Sequence, residues 1–138
     1  MNMKLLKGTV IGTIVFFFLG WLIWGILLAD YGLANYNQCA MKPNEEMIWW
    51  SMIFSNLIYA FFITLILNWS KAINFMDGIK TGALIGFLFS ASIDLSFYSM
   101  TTIFNSFESI LVDIFANTIL AAVTGMAIVL FWGKDKSV

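Results

Sequence analysis

The chain has 138 residues, 61% of them apolar and only 11% charged, with a mean hydropathy of +0.90 and a formal net charge of −1. That composition excludes an ordinary soluble domain, and no nucleic-acid partner is expected. Histidine is absent, which removes the commonest general base, the usual haem ligand and the main zinc ligand together, so no cofactor or metal site is expected.

A bilayer core about 30 Å thick is crossed by roughly 20 apolar residues rising about 1.5 Å each. Four such runs follow one another, over 9–29, 47–67, 79–100 and 110–132. None alternates apolar and polar residues as a barrel strand would. The expected fold is therefore all-α, a four-helix transmembrane bundle filling one domain over 1–138, with both termini on the same side.

The first run, Thr9 to Ala29, follows Lys4 and Lys7. It is longer than a secretory-signal core and lacks a small-residue cleavage site, so a retained span is expected. Gly8 and Gly12 lie four residues apart on it, and Gly20 and Gly25 flank Trp21 and Trp24 before Asp30 closes it. The following loop holds Cys39, whose solitude excludes an intramolecular disulfide. Pro43 precedes Asn44, expected to cap the second helix, with Glu45 and Glu46 at its positive end.

The second run carries Trp49 and Trp50 at one end and Trp69 at the other, the positions of interfacial anchors. Asn56, Ala60 and Thr64 share one face. The segment "NWSKAINFMDG" is short and weakly amphipathic, expected along the interface before Asp77 caps the third helix. In that third run Gly78, Gly82, Gly86, Ser90, Asp94 and Tyr98 recur every fourth residue. Small residues at this spacing form a flat ridge that lets another helix come close, so Asp94 is expected to face protein. Next, "NSFE" places Glu108 three residues after Asn105, a capping-box pattern for the fourth helix. That helix aligns Asp113, Asn117 and Thr124 on one face and ends at Trp132, another expected anchor.

Lys4, Lys7, Lys71, Lys80, Lys134 and Lys136 flank one set of helix ends, and only Lys42 lies at the other. The positive-inside rule then puts both termini in the cytoplasm. Six of the acids, Asp30, Glu45, Glu46, Asp94, Glu108 and Asp113, belong to the outer half, against Asp77 and Asp135 inside.

A carboxylate at mid-membrane costs on the order of 3 kcal/mol, so Asp94 must be hydrated, partnered or protonated. Counting about 1.5 Å per residue puts Asp94 and Asn117 about 10 Å below the outer surface and Asn56 about 13 Å. The expected site is a pocket opening outward: Asp94 at its floor, Asn56 and Asn117 beside it, Tyr98 and Asp113 above, Asp30 at the rim, and Trp21 and Trp24 at the same level. It would take a proton, a small cation or a polar headgroup. Gly82, Gly86, Ser90, Gly8 and Gly12 are the expected helix-packing positions. A second reading makes the chain an accessory subunit, packing through its glycine faces in a homo-oligomer or membrane complex. A third uses Asp94 and Asp113 as acid and base of an intramembrane aspartyl-type hydrolase; the leading expectation is no enzyme.

The stretches "GWLIWGILLADY", residues 20–31, and "GMAIVLFW", residues 125–132, carry a resemblance. They are similar to the motifs closing the first and last spans of small bacterial four-span membrane proteins grouped as domain-of-unknown-function families. The resemblance implies four helices in a bacterial cytoplasmic membrane, with no established activity and no catalytic residues.

Overall fold

The computed structural model describes residues 2–132; Lys134, Asp135 and Lys136 lie outside the described residues. Helix α1 (Met3–Leu22) begins well before the apolar run, because Asn2 accepts a hydrogen bond from the Lys4 amide at 3.0 Å and caps it. It passes into a π-helical turn at Ile23–Leu27, and after Leu28 the short α2 (Ala29–Asn35) follows. Three long helices complete the chain: α3 (Trp49–Trp69), α4 (Phe75–Met100) and α5 (Phe107–Phe131). Four helical stretches are long and apolar enough to cross a bilayer, and the protein is an all-α bundle of them.

The helix starts differ from the local sequence patterns. Asn44 lies in a 3₁₀ turn, Asn44–Glu46, and α3 begins only at Trp49 with no side-chain cap, because extended Met47 comes between. On α4 the cap is Asn74, and Asp77 completes the box from inside the helix, accepting from the Ile73 and Asn74 amides at 2.9 and 3.2 Å. The segment between α3 and α4 is a tight turn through Lys71, at φ 56°, rather than an interfacial helix. For α5 the box is Ser106 with Ser109, one residue after the Asn105–Glu108 pattern. The Asn105 amide is already committed to the Asn35 carbonyl at 3.1 Å, which fixes it in the loop. Trp132 is buried rather than interfacial, with the Lys4 ammonium 4.1 Å from its ring centroid.

The closest helix pair is α4 with α5. A Cβ built on Gly78 or Gly82 would collide with the carbonyl oxygens of Gly125 and Ala121, and one on Gly86 would lie 2.8 Å from the Asn117 carbonyl. Backbone thus meets backbone, which only these glycines permit. On α1, Gly8 lies against Thr64, and Gly12 lies against Ile128 and Ala60. Both glycine ridges are consequently covered within the chain.

The core has two parts. Toward the chain termini, Ile63, Leu67, Ile85, Ala121, Ile128 and Val129 join α3, α4 and α5. Toward the loops at 36–48 and 101–106, Ile23, Ala116 and Leu120, with Phe16 and Leu19 packed against them, join α1 and its π turn to α5. Between the halves, the Phe89 ring on α4 stands 5.3 Å from Tyr59 and 6.3 Å from Phe62 on α3, a wedge beyond which α3 and α4 separate. The loop end is tied by an antiparallel bridge between Tyr36 and Phe104, with the Asn37 amide donating to the Ile103 carbonyl at 2.8 Å.

The backbone contact makes a sharp prediction. Gly82→Ala should destabilise the bundle by about 1–3 kcal/mol through overpacking. Gly20→Ala, whose Cβ would meet only Leu120 at 3.7 Å, should be neutral or stabilising by up to about 1 kcal/mol. Denaturant unfolding in mixed micelles separates the two; equal effects would contradict the close α4–α5 approach.

Candidate ligand-binding cleft

Where α3 and α4 part, a cleft of about 770 Å³ opens. Its walls are Phe54, Ile58 and Phe62 from α3, Phe89 and Ile93 from α4, and Phe16 from α1, with Trp50 at the loop end. Phe54, Ile58 and Phe89 are each about half exposed (58%, 60% and 47%), so the cleft opens sideways between the helices. In a bilayer that opening faces lipid.

The polar groups converge on one spot. Asp94 and Asn117 line the cleft, with Ser90 below them and Asn56 across on α3. Asp94 is only 6% exposed, and its Oδ2 accepts a hydrogen bond from no N–H or O–H donor among the described residues. Ser90 cannot serve it, since its hydroxyl donates to the Gly86 carbonyl at 2.6 Å. The group within hydrogen-bonding reach is the carboxyl of Asp113 on α5.

Asp113 is held from two further sides. The Asn117 side-chain amide donates to its Oδ2 at 2.8 Å and to its backbone carbonyl at 3.0 Å. At 3.5 Å, the Tyr36 hydroxyl reaches its Oδ1. Both donations leave Asn117 Oδ1 as that side chain's acceptor. Asp113 is therefore pinned, whereas Asp94 Oδ2 has no donor.

On its other side Asp113 lines a second cavity of about 390 Å³ with Trp24, Leu28, Gly32, Tyr36 and Met41. The outward pocket expected from the sequence is thus divided, with the acid pair as the partition. The cleft brings Asp94, Asn117 and Asn56 together, and the second cavity takes Asp113 and Trp24. Three expected residues belong to neither. Tyr98 continues the Asp94 row but is exposed, its ring 6.0 Å from Phe107 where α5 has just begun. Trp21 is 60% exposed and folds over Gly25, since it precedes the π turn that carries Trp24 inward. Asp30, exposed on α2, sits beyond that turn.

Tyr36 is the residue that sequence reasoning missed. It is 8% exposed, packed against the rings of Trp24, Tyr31 and Phe104. Its only signal is a tyrosine amid a polar loop, "GLANYNQC". Burial, and then the neighbouring Asp113 carboxyl, pushes its hydroxyl above the usual tyrosine range.

Among the described residues no group of three or more Cys, Asp or Glu side chains could hold a metal ion. No family model, curated protein or solved structure matches the chain.

A tyrosine more acidic unfolded than folded binds its proton preferentially in the native state. Its contribution to stability is complete below the unfolded pKa of about 10 and is lost as pH rises through the folded value. Unfolding followed above pH 10 should show stability falling with pH less steeply in Tyr36→Phe than in the native chain. Identical slopes would mean that the hydroxyl is not buried against Asp113.

Proposed function

We propose that this multi-pass membrane protein is a ligand-binding or transport-like protein. The α3–α4 cleft receives the polar end of a membrane-dissolved molecule at Asp94 and Asn117. The observation that carries the proposal is that Asp94, buried and with an Oδ2 that no donor reaches, lines an apolar cleft. A buried acceptor without a donor is unfavourable by about 1–3 kcal/mol, and a ligand bearing a donor relieves that strain. The volume lies within the range of about 300–1,000 Å³ found for small-molecule sites. The accessory-subunit reading is weaker, because the glycine faces it needs are covered inside the chain.

Binding is tested with three amphiphiles of one chain length, an alcohol, a carboxylate and an ammonium, added to the protein in nanodiscs. At least one should raise stability by roughly 2.7 kcal/mol at a hundredfold excess over its Kd, and Ile93→Trp, which puts an indole into the cleft, should abolish the gain. Indifference to all three would defeat the proposal. The proximity of Asp94 and Asp113 also favours a hydrolase, since two neighbouring acids can serve as acid and base to activate water. Cleavage of an ester amphiphile, lost in both Asp94→Asn and Asp113→Asn, would establish that second reading.

The lysine bias supports an orientation with both termini inside, and the resemblance implies a bacterial cytoplasmic membrane. Cys39 is exposed at the loop end and is the sole cysteine. A membrane-impermeant maleimide should label it in intact cells; labelling only after permeabilisation would invert the topology.

A further inference from the structure

Resting on the cleft being a ligand site, we infer that its ligand is an amphiphilic organic cation, entering from the bilayer between α3 and α4. The cation lies against Asp94 and its apolar groups lie against the aromatic walls.

Three features of the cleft converge on that class. The first is charge. Among the described residues Asp94 is the only carboxylic acid lining the cleft, and no lysine lines it; the chain has no arginine. Nothing basic in the cleft would balance an ionised Asp94. An anionic headgroup would face Asp94 with no basic side chain in the cleft to balance its charge, whereas a cation supplies the missing charge.

The second feature is the wall. Six aromatic side chains line the cleft: Phe16, Trp50, Phe54, Tyr59, Phe62 and Phe89. Their faces attract a cation through the ring quadrupole and accept its hydrocarbon groups equally well. An acid at the end of an aromatic slot suits a charge wrapped in apolar groups. Hard metal cations favour several carboxylate oxygens instead, and Asp94 is the one carboxylate in the lining.

The third is access. The rim residues that open sideways are themselves apolar, so a membrane-dissolved molecule reaches Asp94 without crossing a polar barrier. Asp113 faces the other cavity and is occupied by Asn117 and Tyr36. It does not compete for the ligand.

The experiment uses the full chain in phosphatidylcholine nanodiscs, with empty nanodiscs as background. Three probes of similar shape differ in charge: tetraphenylphosphonium, neutral triphenylphosphine oxide and anionic tetraphenylborate. Tetraphenylphosphonium should bind saturably, one per chain, at least tenfold more tightly than either of the others, and quench fluorescence that Trp50→Phe removes. In Asp94→Asn its affinity should fall at least tenfold. The charge series on the native chain decides the matter even where that variant does not fold. Preference for the neutral probe would overturn the cation and leave a ligand site standing. Equal or tighter tetraphenylborate binding, or no saturable binding of the cation, would overturn the inference outright.

Discussion

The structure depends on one contact, the backbone-to-backbone approach of α4 and α5. Gly78, Gly82 and Gly86 meet the carbonyls of Gly125, Ala121 and Asn117 in a register that climbs one helix by four residues as it descends the other by four. Lipid offers no hydrophobic drive for helix association, so close packing has to supply the attraction. Once α4 is fixed on α5 in this way, Asp94 and Asp113 must face each other within a turn or two of the last glycine contact. The acid pair is a consequence of the ridge.

The same contact creates the cleft. Because α4 commits its small face to α5, it offers α3 only its flank, and there Phe89 meets Tyr59 and Phe62 as a wedge. Toward the termini, Ile63, Leu67 and Ile85 fill the space between the three helices. Beyond the wedge, α3 presents Phe54 and Ile58, too bulky and too exposed to close on the serine-bearing end of α4. The second core, Ile23 with Ala116 and Leu120, lies on the far side between α1 and α5. It stabilises the loop end without drawing α3 inward, so the gap is a feature of how the core is divided.

Much of this was legible in the sequence wherever the signal was local or periodic. Four apolar runs announced the four long helices, and the glycine row announced which face of α4 is covered. Helical rise alone put Asp94 and Asn117 at a common depth, and both line one cleft. What the sequence hid depended on distant pairing. Tyr36 reaches Asp113 because its segment bridges to Phe104, a contact across the chain with no periodicity to betray it. The cap of α5 moved to Ser106 for the same reason, since Asn105 is held by Asn35. Trp24 turned inward and Trp21 outward around a π turn, which no hydrophobic period reveals. Boundaries and loops were therefore the least legible parts, and they supply Tyr36 to the polar site.

The asymmetry of the acid pair is its most informative property. An aspartate retained only to lock two helices would be expected to use both of its oxygens, because an unmet acceptor in the bundle weakens the packing it serves. Asp113 fits that description: Asn117 and Tyr36 hold it from two sides. Asp94 does not, although Ser90 lies one turn away and bonds its own helix instead. The fold thus supplies donors to one acid and leaves the other, on the lining of an aromatic cleft, with an oxygen that no donor reaches. Such an arrangement destabilises the empty protein slightly, and that is the condition under which a donor or a cation arriving from the bilayer gains most by binding.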